Sequence, residues 1–464
     1  MSNFKVIIVG GGPTGLAAAH CFAKAGIDYE ILDRRASLDD NEGASAAVWP
    51  NTARVFAQLG IMDEALKTYF PGIKWKANLI SSGQCVGKSD VMAMPEVYHG
   101  YPWMLFARPR LVDMLKRTLP GNPKIHTSKK VVSIDTTSTG VTVHCADGSS
   151  FTGSIVLGAD GINSSVRQIL DEKIAQEAGL EKPTSYQTSV FKSSTIGVYG
   201  YCEGRIPGVE PETWYETHHD GFTSQLSGGD DMTLFLLYER LPAPVNSLEE
   251  GIRFTDEDQK AFVDRTADHH VTPTVTVREL MSQCKWAYMS HLEEGVIDKW
   301  YTDRIVLAGD SVAKMTPNSG FGINTGIQSV VAITNALRRV LQATDAPDNA
   351  ALTVAFREYE TVRRKNVEKT VHASGMHTKI ATWDTWLLRF VDRWIVPLTN
   401  GYLSMRRLVG PIVQEGIVLD WIPEDGYKEG TLKWNFPRVT ASKAVDSSDS
   451  DVEKGLVTEE VTEV

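Results

Sequence analysis

The run KVIIVGGGPTGLAAAHCFAKAGIDYEILDRR, close to the start of the chain, restricts the possible folds more than any other feature. Val6 to Val9 form a continuous apolar run of the kind that makes a buried parallel strand. Gly10, Gly12 and Gly15 follow with G-x-G-x-x-G spacing, which allows a tight turn, close approach of backbone to a pyrophosphate, and packing of helix on strand. These features predict the first strand and helix of a dinucleotide-binding unit.

A second strand and an acidic residue complete this unit. The helix opens at Thr14, and Tyr29 to Leu32 predict a strand that ends at Asp33, where a carboxylate can hold a ribose hydroxyl. The amides and dipole of the helix N-terminus favour phosphate. A glycine pattern alone could be an ordinary turn, but strand, helix, strand and acid together favour nucleotide binding.

Composition agrees with a globular enzyme. The 464 residues, 42% of them hydrophobic and 23% charged, can bury a large core and suggest roughly two to three domains. A formal net charge of -11 without a basic stripe argues against nucleic acid as a partner. Residues 441–464 are rich in acid and predict a disordered, solvated tail.

Cysteine usage and the N-terminus favour an intracellular protein. The five cysteines have no C-x-x-C spacing, which fits a reduced compartment, and we expect no metal site. The first strand begins within a few residues of Met1, which leaves no room for a secretion signal. We therefore expect a protein that is cytoplasmic or attached peripherally to a membrane.

Three further motifs supply polar groups that a cofactor could use. Arg108 opens an amphipathic helix, where it either reaches the nucleotide part of a cofactor or is a solvated charge. A hairpin turning at Asp147-Gly148 leads into a strand that ends in G-A-D-G, which places Asp160 at the carboxyl edge of the sheet. The segment Gly43 to Leu66 begins with small residues that either pass close to a ring system or form an ordinary connection to the helix after Pro50.

A fourth motif is GDSVAKMTPNSGFGIN, which follows a predicted strand from Arg304 to Leu307. Asp310 lies where it could accept hydrogen bonds from ribitol hydroxyls. The amides near Gly322 and Ile323, at the start of the next helix, could face the electron-rich N1 and O2 edge of a flavin. The N-terminal glycine motif and the GDSVAKMTPNSGFGIN motif together indicate one bound FAD.

In this order and spacing, the motifs resemble the FAD-dependent aromatic-hydroxylase-like monooxygenases, also called group A flavoprotein monooxygenases, over about residues 4–365. The sequence GDSVAKMTPN is similar to the corresponding motif in a fungal branch of the family. Enzymes of this branch epoxidise prenyl chains of indole diterpenes and meroterpenoids or oxidise prenylated indole alkaloids. The resemblance implies an α/β protein with a Rossmann-type FAD-binding domain of the aromatic hydroxylase fold, a β-sheet substrate domain and C-terminal helices.

The resemblance also implies a domain plan. We expect a discontinuous FAD-binding domain in residues 1–75, 101–180 and 285–365, and a substrate-binding sheet domain in residues 76–100 and 181–284. Residues 366–440 would form a helical region, followed by the acidic tail 441–464.

Ten positions match cofactor-binding positions of the family. They are Gly10, Gly12, Gly15, Asp33, Ala47, Arg108, Asp160, Asp310, Gly322 and Ile323. Asp33 replaces the more usual glutamate, Ala47 a glycine, and Ile323 a glycine or alanine. Ala313 stands where the family commonly has histidine, which puts in doubt any mechanism that requires a ring at that position.

The implied reaction uses FAD as cofactor, NADPH as co-substrate and O2. A single glycine motif fits this, because family members bind NADPH without a Rossmann domain for it. Reduced flavin would add O2 at C4a, and the hydroperoxide would epoxidise or hydroxylate a lipophilic, prenylated substrate. The alternatives are a flavin oxidase or dehydrogenase, and a redox-silent cyclase or isomerase. Ala313 is the only residue that favours the redox-silent alternative. The absence of a W-x-W-x-I-P segment argues against a halogenase.

Strand-like runs between Thr184 and Thr274 predict the sheet that roofs the flavin. Within it, Lys192 could polarise the hydroperoxide or the substrate, and Tyr215 could donate a proton. The alternative is that the lysine is an edge charge and the tyrosine a packing residue.

The segment from Thr382 to Trp394 predicts an amphipathic helix, with tryptophans on one side and arginines on the other. It contains no apolar run long enough to span a bilayer. Two interpretations remain open: the helix packs over the substrate entrance, or residues 382–394 make peripheral membrane contact.

Overall fold

The computed structural model describes residues 4–39, 43, 45–70, 72–183, 186–396 and 401–440. The strands are β1 Lys5–Val9, β2 Asp28–Leu32, β3 Ser45–Val48, β4 Trp75–Ile80, β5 Cys85–Ser89, β6 Met104–Ala107, β7 Ile125–His126, β8 Val131–Thr136, β9 Val141–Cys145, β10 Ser150–Gly153, β11 Ile155–Gly158, β12 Lys192–Glu203, β13 Thr213–His219, β14 Phe222–Gly228, β15 Met232–Val245, β16 Cys284–Val296, β17 Tyr301–Thr302, β18 Ile305–Leu307 and β19 Ala313–Lys314. The helices are α1 Pro13–Ala25, α2 Pro50–Leu59, α3 Met62–Thr68, α4 Met94–His99, α5 Arg108–Arg117, α6 Ser165–Glu177, α7 Ser247–Glu250, α8 Asp256–Thr266, α9 Val277–Ser282, α10 Gly322–Ala343, α11 Asn349–Ala381, α12 Trp386–Phe390, α13 Gly401–Ser404 and α14 Gly410–Gln414.

A six-stranded sheet with the order β17-β18-β11-β1-β2-β7 forms the first layer. Its inner strands are parallel, and only β17 at the edge pairs antiparallel with β18. The strands read as continuous apolar runs because helices cover both faces of such a sheet. The predicted α/β class, and the strands predicted from Val6, Tyr29 and Arg304 onward, are confirmed.

Helices α1 and α10 pack against each other and bring the two most distant motifs together. A Cβ atom on Gly326 would lie 2.4 Å from the Oγ1 atom of Thr14. Because only glycine permits this approach, the N-terminal motif and the GDSVAKMTPN motif meet at one place in the fold.

An eight-stranded, mostly antiparallel sheet with the order β19-β16-β12-β15-β14-β13-β4-β5 forms the second layer. Its long strands β12 to β15 confirm the strand-like runs predicted between Thr184 and Thr274. Strand β16 continues to Val296, beyond residue 284, where we placed a domain boundary from the sequence.

The two faces of this sheet have different neighbours. One face packs against α8 and α9 through a separate apolar core that includes Val198, Phe235 and Leu280. The other face turns toward the core that contains the six-stranded sheet: Trp214 packs against this core and lies 5.6 Å from the ring of Trp103, which precedes β6. We call this second face the inner face of the sheet.

The C-terminal region begins with α11, whose 33 residues run past both layers. The predicted amphipathic helix from Thr382 to Trp394 is wrong in its first turn. Helix α11 ends at Ala381, Trp383 is buried with a φ of +48°, and α12 starts only at Trp386. None of the helices in the described ranges is both long and apolar enough to cross a bilayer. The predicted acidic tail, residues 441–464, lies outside the described residues.

Candidate active site

The glycines at the start of α1 divide into two kinds. Gly10 has a φ of +110°, and a Cβ atom on it would lie 2.3 Å from the carbonyl oxygen of Ala159. A Cβ atom on Gly15 would lie 1.9 Å from the carbonyl oxygen of Gly10. A Cβ atom on Gly12 would meet no described atom within 4 Å. The chain's own packing therefore demands glycine at 10 and 15, whereas Gly12 borders open space that a ligand can fill.

The N-termini of α1 and α10 differ from those of α6, α8 and α11. Ser164 caps α6, Thr255 caps α8 and Asp348 caps α11 through their side-chain oxygens. Within the described part of the chain, no side chain caps α1 or α10. Their first backbone N–H groups are thus available to phosphate or to a flavin edge. This arrangement fits FAD, with its pyrophosphate at α1 and its ring at α10.

Asp33 follows directly after β2 and is buried. Its carboxylate accepts hydrogen bonds from the Gly11 amide at 2.7 Å and from the Arg35 guanidinium at 2.9 Å. Burial acts to raise the pKa of Asp33, but Arg35 and the Gly11 amide outweigh it and hold the pKa below its usual value. The carboxylate is therefore charged and lies next to the glycine turn.

Arg108, Asp310 and Lys314 form a second charged group. Lys314 Nζ lies 2.5 Å from the Oδ2 atom of Asp310. Burial acts to lower the pKa of Arg108, and the nearby Asp310 carboxylate opposes this change. Lys314 is a site candidate that the sequence analysis did not select, although it lies in the same motif. Ala313 beside it is buried in the short strand β19.

Asp160 is engaged mainly by its own loop. Its carboxylate accepts hydrogen bonds from the Ser164 hydroxyl at 2.5 Å and from the Val166 amide at 3.2 Å. Burial raises the pKa of Asp160. Arg167 then connects this loop to the Asp310 motif by donating to the carbonyl oxygen of Ser311 at 3.1 Å.

Ala47, Gly322 and Ile323 come together through Asn324. The side-chain amide of Asn324 donates to the Ala47 carbonyl at 2.9 Å, and its oxygen accepts from the Trp49 amide at 2.8 Å. A Cβ atom on Gly322 would meet no neighbouring atom of the described ranges within 4 Å, and Ile323 is half-buried beside it. The start of α10 therefore has open space next to it, as the start of α1 does.

The two predicted catalytic residues are not placed with this group. Lys192 is exposed at the beginning of β12. Tyr215 points to the outer face of the sheet, packs in the core formed with α8 and α9, and has its hydroxyl 3.2 Å from the Glu210 amide. Because side chains alternate along a strand, Trp214 and Glu216 face inward and Tyr215 faces outward. The structure gives the predicted roles of Lys192 and Tyr215 no geometric support.

Aromatic side chains line part of the inner face instead. Tyr199 lies 6.1 Å from the ring of Trp286 and 5.7 Å from the ring of Tyr288. Burial raises the pKa of Tyr199, and the charges of Lys314 and Arg108 act against it, so this aromatic cluster lies near the Asp310 group. The alternation in YGYC and WAYMS is a signal for these positions that the sequence analysis did not use.

Asn318, in the same motif as Asp310, is buried with unmet hydrogen-bonding capacity. Neither atom of its side-chain amide has a partner among the residues that the structure describes. The backbone carbonyl oxygen of Asn318 accepts from the Gln225 side-chain amide at 2.8 Å, which joins this loop to the inner face. The hydroxyl of Tyr238, also on the inner face, is likewise buried and unpartnered in the described ranges. Buried polar atoms of this kind usually receive a partner from a ligand or from water.

Glu216 is the centre of a buried ion-pair network on the inner face. Its carboxylate pairs with Lys76 and lies 2.8 Å from Nε2 of His377 and 3.6 Å from Nε2 of His218. Burial acts to raise the pKa of Glu216, but Lys76 and His377 outweigh it and hold the pKa well below its usual range. The Gln225 amide also donates to this carboxylate, at 3.1 Å.

The network extends through His218 into the C-terminal region. Nδ1 of His218 lies 2.9 Å from Asp392, which also accepts a 2.7 Å hydrogen bond from the Trp383 indole. Burial acts to lower the pKa of His218, but Asp392 and Glu216 outweigh it and raise it to about 9. Glu216, His218 and His377 lie close enough to share a metal ion. In this structure the same side chains make ion pairs, Glu216 with Lys76 and His377, and His218 with Asp392.

Comparisons with known proteins identify the family of this chain. Residues 3–374 match the family described as FAD binding domain. The chain is 33% identical over 446 residues to FAD-dependent monooxygenase srdH of Neurospora crassa, covering 93% of this chain and 98% of the relative. It is 30% identical to FAD-dependent monooxygenase penE of Penicillium thymicola, covering 91% of this chain and 88% of the relative. The crystal structure of Klebsiella pneumoniae HpxO with FAD and uric acid shares the fold, with a TM-score of 0.71, 22% identity, and coverage of 88% of this chain and 97% of that one.

Proposed function

Since this chain belongs to the flavoprotein family that carries an FAD binding domain and is an FAD-dependent monooxygenase, we propose that it uses NADPH and O2 to epoxidise or hydroxylate a lipophilic, prenylated natural product. One oxygen atom would enter the substrate and the other would leave as water, while NADPH is oxidised. The substrate class would be meroterpenoids, indole diterpenes or indole alkaloids. The single observation that carries the substrate class is the aromatic inner face of the sheet near the Asp310 group.

FAD would be held by the residues on which the motifs converge. The α1 amides beside Gly12 would bind the pyrophosphate, Asp33 a ribose hydroxyl, and Asp310 the ribitol chain. The α10 amides at Gly322 and Ile323 would face the flavin ring, next to the backbone of Ala47. When bound, FAD supplies the two-electron chemistry that takes hydride from NADPH and activates O2.

Arg108 and Asp160 would take different parts in this site. Arg108 lies near Asp310 and would add positive charge beside the nucleotide. The Asp160 carboxylate is bonded to Ser164 and Val166, so its contribution would be to fix the G-A-D-G loop, whose backbone then borders the cofactor. Neither role requires movement of the surrounding strands.

The inner face would position the substrate and exclude water. Tyr199, Trp286 and Tyr288 offer ring surfaces that suit an indole or an isoprenoid chain. Asn318 and Tyr238 offer unmet hydrogen bonds to a polar group on an otherwise apolar molecule. These residues replace Lys192 and Tyr215 in our proposal, because the latter are exposed and outward-facing respectively.

Oxygen labelling tests the proposal. We would incubate the FAD-loaded protein with NADPH, heavy-isotope O2 and a panel of prenylated indoles and terpenoids, and measure product mass. The expected product gains one labelled oxygen atom, and none forms without NADPH. Labelled hydrogen peroxide with unchanged candidates would indicate an oxidase. An isomeric product formed anaerobically, without bleaching of the flavin absorbance by NADPH, would indicate a redox-silent enzyme and contradict the proposal.

A further inference from the structure

Exposed apolar side chains are concentrated in residues 386–396 and 401–409. Trp386 is 79% exposed, Leu408 70% and Trp394 64%, which are the three largest values among the exposed large apolar residues of the described chain. Five more belong to the same two stretches: Leu387, Phe390, Ile395, Val396 and Leu403. Apolar patches of this density on a protein surface usually mark an interaction site.

The charges in these two stretches are almost all positive. Arg389, Arg393, Arg406 and Arg407 stand against a single acid, Asp392, in a chain whose formal net charge is -11. Asp392 is turned inward, where it pairs with His218 and Trp383, and it is only 8% exposed. The outward surface therefore combines tryptophans with arginines and presents no exposed acid in the described residues. We call residues 386–396 and 401–409 the Trp/Arg surface.

We propose that the Trp/Arg surface docks this protein on an anionic lipid bilayer. Tryptophan prefers the level of the lipid headgroups, and arginine attracts anionic lipids while its stem adds apolar contact. A second copy of the chain is a poorer occupant, because a twofold interface would place four arginines against four arginines. The bound state would lie in the interface and would not span the bilayer.

The surface is held by the rest of the chain and needs no unfolding to dock. The Arg240 guanidinium donates to the Trp383 carbonyl at 3.0 Å, and the Gly221 amide donates to the Thr382 carbonyl at 2.9 Å. The guanidinium of Arg389 stacks 4.9 Å above the buried Trp383 ring. These contacts attach the start of the segment to strand β15 and to the turn between β13 and β14.

Vesicle flotation tests the proposal without reference to catalysis. We would mix the FAD-loaded full chain with vesicles of phosphatidylcholine and with vesicles in which phosphatidylserine replaces part of it. We expect flotation with the anionic vesicles and its reduction by high salt. The double variant Trp386→Ser/Trp394→Ser should lower the partition coefficient by about 100-fold or more. The variant Arg406→Gln/Arg407→Gln should lower it by about fivefold for each cation removed.

Matched variants outside these two stretches serve as controls. Val132→Ser/Val354→Ser removes exposed apolar groups from β8 and α11, and Lys182→Gln/Arg253→Gln removes exposed cations. Neither should change flotation, and every variant should retain bound FAD. Failure of the full chain to float would overturn the proposal. So would a concentration-dependent dimer that Trp386→Ser/Trp394→Ser dissociates, since it would identify a second copy as the occupant.

Discussion

Two buried polar regions face each other across the Gln225 side chain, and they are built in opposite ways. Around the starts of α1 and α10, backbone N–H groups lack side-chain caps, and in the described residues the amide of Asn318 has no partner. Around Glu216, each charged group has an oppositely charged neighbour. Gln225 donates to both regions. The first region leaves donors beside open space for a ligand to meet, whereas the second neutralises its own charges, although Oε2 of Glu216 and Nε2 of His218 are held by ion pairs and not by hydrogen bonds within the described residues.

This difference separates binding from stability. Polar atoms left unmet in the fold cost free energy that a cofactor or substrate recovers, so changes there should act on ligand affinity. When one member of a network of buried charges is removed, the free energy of unfolding falls much more, because the remaining charge stays buried without a partner. Variants in the two regions should therefore differ in which measurement they change.

Replacement of Glu216 should produce the largest loss of stability. Glu216→Gln keeps the shape but removes the charge that Lys76 and His218 face, so we expect the free energy of unfolding to fall by about 3 to 5 kcal/mol. Urea unfolding at neutral pH measures it. The control is Glu212→Gln, which removes an exposed pair with Lys74 and should cost less than about 1 kcal/mol. Equal losses in the two variants would show that the network is not a buried one.

The pH dependence of stability should come mainly from His218. Its pKa is raised to about 9 in the folded chain, so its contribution is full below the unfolded value of about 6.5 and is lost as pH rises through 9. The expected loss is about 3 kcal/mol. Glu216 has the opposite sign: its pKa is depressed, so its contribution is present at neutral pH and is lost only as pH falls well into the acid range.

Urea unfolding at several values between pH 6.5 and 9 measures the contribution of His218. The decline should be absent in His218→Gln, whose side chain does not titrate, although this variant starts from a lower stability. A wild-type chain whose stability is flat over this range would contradict the assigned protonation of His218.

The two regions also differ in how far the sequence predicts them. The glycine motif, Asp33 and Asp310 are local patterns, because strand, turn and helix N-terminus follow each other along the chain. Their convergence on one site follows from parallel strands that end at the same edge of a sheet. Sequence reasoning therefore predicted the nucleotide-binding half of the fold and its order of elements.

The Glu216 network had no such local signal. Its members come from β4, β13, α11 and the segment after α12, so only the tertiary fold brings them together. The same reason explains why the structure does not support the catalytic roles predicted for Lys192 and Tyr215. Neighbouring residues of a strand lie on opposite faces of the sheet, so an error of one position places a side chain on the wrong face. The sequence did not show which face of β13 turns inward.

The open region is tested most directly at Gly12. Its φ of -79° suits alanine, and a Cβ atom there would meet no described atom, so Gly12→Ala should leave the apo-protein as stable as the wild type. The same methyl group would occupy the space proposed for the pyrophosphate and should weaken FAD binding by about 100-fold, or about 2.7 kcal/mol. Titration with FAD measures it. Gly87→Ala, at an equally open position in β5, should leave FAD affinity unchanged, and a large loss of apo stability in Gly12→Ala would contradict the assignment.

The smallest expected change in ligand affinity distinguishes two asparagines of one motif. The side chain of Asn324 bonds Trp49, Ala47 and Gly320, so Asn324→Ala should destabilise the apo-protein by about 2 to 3 kcal/mol. Asn318→Ala removes an amide whose bonds are unmet, so the free energy of unfolding should stay constant or rise by up to about 1 kcal/mol. It should also weaken the binding of whichever ligand completes the amide by about threefold to tenfold. FAD titration and the KM for the substrate identify that ligand. If Asn318→Ala instead lost as much stability as Asn324→Ala, both asparagines would belong to the closed type of region, and the contrast with the Glu216 network would fail at this position.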